Sequence, residues 1–220
     1  MLTVPIDSPN TDRSLLTIEE ARVAIGLDSS DSSKDATLTP LNAYVAALIT
    51  SACKVARAGV TPPTLRLERV TETFLFNRLQ KSIVLARSPL VSVISVTQSD
   101  SVLATTDYAI DYAAGILYRT TFGYYTFPDG PWGWWPNGST IVEYSAGYEI
   151  VPDDLKYAAI KFLQAEHTTG SRDPNLKSLR IDGISERTWW VSDKQVTSAV
   201  PSEVMDILMR GGYVKGPAFA

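Results

Sequence analysis

The stretch IVEYSAGYEIVPDDLK, residues 141–156, carries three structural signals in sixteen positions. Ile141 to Tyr144 is a β-branched and aromatic run, the composition of a strand. Ser145-Ala146-Gly147-Tyr148 then interrupts it, and Gly147 permits a turn. Pro152 has no amide hydrogen and cannot continue a strand ladder. Asp153 can accept backbone amides as a helix cap, while Asp154 favours the positive end of the helix dipole. A helix is therefore predicted from Asp153 to about Thr169, with Leu155, Ala158, Ala159, Phe162 and Leu163 forming its apolar stripe. Glu149, Asp153 and Asp154 read as parts of a strand-to-helix joint, not as an acidic active site.

Upstream of this joint, residues 64–121 are rich in Thr, Val, Ile, Leu and Phe, with polar residues alternating from Leu65 to Val70. Tyr108 to Tyr118 has the pattern of a hairpin turning near Gly115. Two helices are expected before the β region. Thr17-Ile-Glu-Glu20 is a capping box opening a short helix that stops near Gly26. After a polar loop, DSSDSSKDATLT, a second helix is expected from Pro40 to Ala58, ended by Gly59 and Pro62-Pro63. Its apolar stripe is read as Leu41, Tyr44, Val45, Leu48, Ala52, Val55 and Ala56. Downstream, Leu179 to Trp190 reads as strand structure around Asp182-Gly183, and a short helix follows Pro201 with Val204, Ile207 and Leu208 on one face. Gly211-Gly212 stop it. This order predicts an α+β fold: helices packed with an antiparallel β-meander or hairpin region, and a short C-terminal helix. Residues 1–14 read as an extended arm and residues 15–220 as a single domain.

Hydrophobic residues make up 45% of the 220-residue chain and charged residues 20%, enough to bury a core. A net charge of −4, with basic residues scattered, argues against gripping nucleic acid by its phosphates. One cysteine, Cys53, excludes an internal disulfide framework. No stretch suits a signal peptide or a membrane span, so a soluble protein made inside the cell, with no membrane partner, is expected.

Catalytic signatures are sparse. His167 is the only histidine and falls near the end of a helix, where a solvent-facing role suffices. One Cys and one His cannot assemble an ordinary zinc site. Cys53, beside an apolar stripe, reads as a small buried hydrophobe. No glycine-rich phosphate loop is present. Asp107/Asp111 and Asp153/Asp154 are carboxylate pairs of the kind that turns and caps use, and they are all that a hydrolase reading has for support. No enzyme activity, cofactor or metal is expected.

The loop at residues 122–139 is the unusual feature. GPWGWWPNG places Trp132, Trp134 and Trp135 close together. Three readings stand: a platform stacking on sugar rings, a loop folded over the domain's own sheet, or a contact with another subunit. Trp189-Trp190 raise the same question, since adjacent strand residues face opposite sides.

The order of these elements resembles the head–tail connector (adaptor) proteins of tailed bacteriophages, from about Leu16 to Tyr213. LLTIEEARVAIGL is similar to the family's opening, followed by an alanine-containing helix. ARSPLVSVISV and YAIDYAAGILY are similar to its Ser-Pro-Leu strand and its Tyr-Asp hairpin. VEYSAGYEIVPDDLKYAAIKFLQAEH has its strand, turn, Val-Pro and helix, and AVPSEVMDILMRGGYV is similar to its closing helix. The Trp-rich loop and the N-terminal arm depart from that pattern. The resemblance implies a structural protein of the virion neck, made in the host cytoplasm. It implies a ring of twelve copies beneath the portal protein, extending the DNA channel toward a stopper or tail-completion protein. DNA would pass through the lumen without specific binding. Trp132, Trp134, Trp135, Trp189, Trp190, Leu208 and Tyr213 are the interface residues this reading expects, with a docking segment from about residue 178 to 220. The alternative is a tail-associated carbohydrate-binding module built on the Trp-rich loop.

Overall fold

A computed structural model describes residues 6–57, 61–120, 133–170, 178–181, 185–188 and 199–214. They fall into two compact units. One comprises residues 1–13 and 54–151; the other comprises residues 14–53 and 152–220. The chain passes from the first to the second between Val151 and Pro152, inside the 141–156 stretch.

The first unit holds strands β1 (Ile6–Ser8), β2 (Glu68–Phe76), β3 (Ser82–Val84), β4 (Leu90–Gln98), β5 (Ser101–Val102), β6 (Tyr108–Asp111), β7 (Ile116–Arg119) and β8 (Gly138–Ala146). Five form an antiparallel sheet in the order β1-β2-β8-β4-β5, and three form a second sheet, β3-β7-β6. β8 lies in the middle of the larger sheet, paired along nine residues with β2, from Glu68↔Ala146 to Phe76↔Gly138. A strand late in sequence thus separates two early ones. Its burial alternates: Thr140, Val142, Tyr144 and Ala146 are buried, as period-2 geometry requires of a strand with one face in a core. Val70 and Phe74 of β2, Val96 of β4, Ile83 of β3 and Leu117 of β7 join Val142 and Tyr144 in one hydrophobic core.

Gly147 ends β8 with φ +109°, and its amide donates to the Pro89 carbonyl at 2.9 Å. A Cβ there would lie 2.3 Å from the Arg66 carbonyl oxygen. Close backbone approach, as well as the turn, demands glycine. The 108–118 hairpin forms as expected, with Gly115 at φ +67°.

The second unit holds helices α1 (Ile18–Ala24), α2 (Asp35–Ala52), α3 (Asp153–Gly170) and α4 (Ser202–Arg210), with a strand pair β9 (Ser178–Ile181) and β10 (Ser185–Thr188). The capping box is present: the Glu20 amide donates to Thr17 Oγ1 at 3.2 Å and the Thr17 amide to Glu20 Oε2 at 2.8 Å. α3 packs against α1, α2 and α4, and its five expected stripe residues are all fully buried.

α2 differs from the expectation at both ends and in its facing. It begins at Asp35, so Pro40 lies inside it and the polar loop is shorter than the sequence suggests. Pro40 forfeits its own amide bond and crowds the carbonyl four residues before it, while Asp35 suits the positive end of the dipole. It stops at Ala52, because Lys54 takes a left-handed φ of +56°. Its buried face runs through Leu38, Asn42, Val45, Ala46, Ile49 and Thr50, while Tyr44 is exposed. The polar members are satisfied inside: Asn42 Nδ2 donates to the Leu16 carbonyl at 2.9 Å, and the Thr50 hydroxyl to the Ala46 carbonyl at 2.7 Å. At the start of α3, Asp154, not Asp153, accepts a backbone amide, that of Leu155 at 2.9 Å.

Candidate interaction surfaces

The residues flagged by sequence fall in different environments. Trp135 is a core residue. Its amide and carbonyl pair with Gln80 at 2.7 and 3.0 Å, its indole N–H reaches the Leu117 carbonyl at 3.3 Å, and the Arg119 guanidinium lies 5.8 Å from its ring. It is 0% exposed, so it offers no face to a sugar or a partner in this chain. Trp134 next to it is half-buried, with the Lys81 ammonium 5.3 Å from its ring. Neighbouring residues of an extended segment point to opposite sides, which sends one tryptophan inward and leaves the other at the surface. Trp132, Trp189 and Trp190 lie outside the described residues.

In the second unit, Leu208 is fully buried on α4, facing inward with Val204. Tyr213 is half-buried, and its hydroxyl donates to Asp154 in the first turn of α3. A Cβ on Gly211 would meet the Tyr213 ring and push it aside. These residues close the C-terminal turn onto α3; the exposed apolar residue of α4 is Met209. Asp107 and Asp111 serve turns, accepting the amides of Ala104 and of Ala113 and Ala114 at 3.0–3.1 Å. His167 is half-buried, on the wall of an apolar groove of about 650 Å³ that Ile25, Leu38, Leu41 and Tyr44 also line. Cys53 is buried, and desolvation pushes its thiol up to about 11, so it is a poor nucleophile at neutral pH.

Sequence reasoning missed the polar interior of the first unit. Glu68 and Glu72 occupy inward positions of β2 and are 2% and 0% exposed. Glu72 accepts the Ala86 amide at 3.1 Å and the Tyr144 hydroxyl at 2.9 Å; that hydroxyl accepts the Arg87 amide at 3.2 Å. Arg87 donates to the Thr64 carbonyl at 3.2 Å and faces Glu68 at 3.6 Å. Burial raises the Glu68 carboxyl above its ordinary value, partly opposed by the Asn10 amide and by the charges of Arg87 and Arg13. The arrangement positions backbone: it hangs the Ala86-Arg87 segment on β2 and β8. It has no nucleophile paired to a base. Among the described residues, no three His, Cys, Asp or Glu side chains gather to hold a metal ion, and no helix is long and apolar enough to cross a membrane.

The surface of the first unit carries exposed apolar side chains that the sequence did not single out, Leu75 on β2 and Val91 and Ile94 on β4 among them. Val91 and Ile94 sit at the two register shifts of β4 against β8. Such bulges turn side chains out of the alternating pattern, and the run LVSVISV hides them because its apolar residues do not alternate strictly with its two serines.

No protein-family model and no curated protein matches the sequence. Among solved structures, the chain is similar to one in the neck of an empty gene transfer agent (GTA) particle computed with C6 symmetry. That similarity has 20% identity, covers 96% of this chain and 94% of that one, and has a TM-score of 0.51. It is similar also to a chain in the virion of the native gene transfer agent particle, with 18% identity, 94% and 93% coverage and a TM-score of 0.51. Over nearly its whole length, this chain has the α+β fold of a chain found in the neck of a phage-like particle.

Proposed function

We propose that the protein is a head–tail connector (adaptor) subunit, acting in a virion neck after synthesis in the host cytoplasm. Twelve copies form a ring beneath the portal protein, continue the DNA channel and present a platform to a stopper or tail-completion protein. The observation that carries this reading is a likeness of fold, spanning nearly the whole of both chains, to a chain of a solved neck, whose C6 symmetry is compatible with twelve copies. Charge supports it: twelve chains at −4 each carry about −48, which disfavours retention of DNA sliding through the lumen. The role is mechanical, without catalysis or cofactor. Trp134, Met209 and the segment from about residue 178 onward are the contact elements we assign to neighbours and portal. Trp135 and Leu208 support them from inside.

Electron microscopy of the protein mixed with the portal protein of its own particle tests this. Portal rings decorated by a twelvefold layer are expected. A chain that stays monomeric and leaves the portal bare overturns the reading.

A further inference from the structure

The N-terminal arm is fastened to its sheet by contacts that the same segment of another copy could make equally well. β1 is three residues long, lies at the edge of the five-stranded sheet, and its register on β2 shifts between Ile6 and Ser8. After Ile6 the arm is polar: residues 7–13 read DSPNTDR and contain no large apolar side chain. The Thr71 hydroxyl donates to Asp7 at 2.5 Å, the Asn10 amide donates to buried Glu68 at 3.2 Å, and Asp12 faces Arg66 at 3.6 Å. Each partner is more than fifty residues away in sequence, and the chain leaves this unit immediately after Arg13. Nothing local in the sequence ties the arm to its own β2.

We propose that in the assembled ring, residues 6–13 of one copy pair with β2 of the next, making β1 an exchanged strand that ties neighbouring subunits together. This rests on the connector-ring reading. Exchange replaces every bond by an identical one, so concentration decides between the two arrangements. Dilute chains keep the arm on their own sheet, whereas a ring holds a neighbour's β2 at high effective concentration. Glu68 gives the docking its register, because a buried carboxylate rewards the one alignment that brings an amide to it.

Two single variants, Asp7→Cys and Thr71→Cys, test it when mixed, assembled on the portal and oxidised mildly. Neither can form the new pair within its own chain, and Cys53 is too buried to compete. A disulfide-linked heterodimer is expected to take up to about half of the chains in the ring fraction, because a random mixture puts a Thr71→Cys neighbour beside half of the Asp7→Cys arms, and few chains of the unassembled fraction. The double variant should link into covalent multimers. Rings in which the double variant closes only within single chains overturn the exchange and leave the ring reading intact; absence of wild-type rings overturns both. A cryo-EM map of the wild-type ring covers variants that fail to assemble. Density running from Arg13 to the neighbour's β2 supports the exchange, and density running to its own β2 refutes it.

Discussion

Gly147 shows how much one position decides. With its φ in the left-handed region and Arg66 and Leu67 backbone atoms within 2.3–2.9 Å of where a Cβ would stand, Gly147→Ala must displace main chain on a neighbouring segment. A loss of about 3 kcal/mol or more is expected in urea unfolding, against about 1 kcal/mol for a simple φ penalty. Asp35 offers a test by pH. Its bidentate pairing with Arg22, at 2.8 and 2.5 Å, holds its carboxyl below the ordinary 3.8. A lowered native pKa means the unfolded chain takes up the proton first. The bridge therefore stabilises above pH 3.8 and is lost as pH falls through the lowered value. Asp35→Asn should melt at a lower temperature than wild type at pH 7, and the gap should narrow as melts are taken below pH 3.8. A gap independent of pH would mean that the ion pair is not its source. Glu68 has the opposite sign: burial raises its carboxyl above the ordinary 4.5, so the stability its protonated form gives is present below pH 4.5 and is lost as pH rises through the raised value.

Among the elements, the paired tryptophans separate stability from contact. Trp135→Ala empties a fully buried site and should cost about 3–5 kcal/mol. Trp134→Ala removes a half-buried ring under Lys81 and should leave stability within about 1 kcal/mol of wild type. In the connector reading it should weaken portal binding by about 2 kcal/mol, roughly 30-fold, by titration on portal rings. Unchanged binding would remove Trp134 from the interface. α3 was legible in sequence because its stripe is apolar on one side only, and all five positions are buried. α2 was not, because apolar residues surround it. The face that is buried contains Asn42 and Thr50, which an apolar stripe leaves out, and their partners Leu16 and Ala46 are visible only once the chain is folded.

For the whole molecule, the decisive experiment is the portal mixture: decorated rings are expected, and a bare portal would end the connector reading. The sequence by itself determined the α+β class, the capping box at Thr17, the hairpin at Gly115 and the strand, turn and helix of residues 141–156. Each carries a signal written within a few residues, as local periodicity or turn chemistry, even where its pairing partners lie far away. Only the tertiary structure decided that β8 lies between β2 and β4, that the chain changes unit at Val151–Pro152, and that Glu68, Glu72 and Arg87 lie buried. It also decided that Trp135 and Leu208 point inward and Trp134 does not. Burial and strand order depend on partners tens of residues away, and no local pattern distinguishes a tryptophan that fills a core from one that awaits a neighbour.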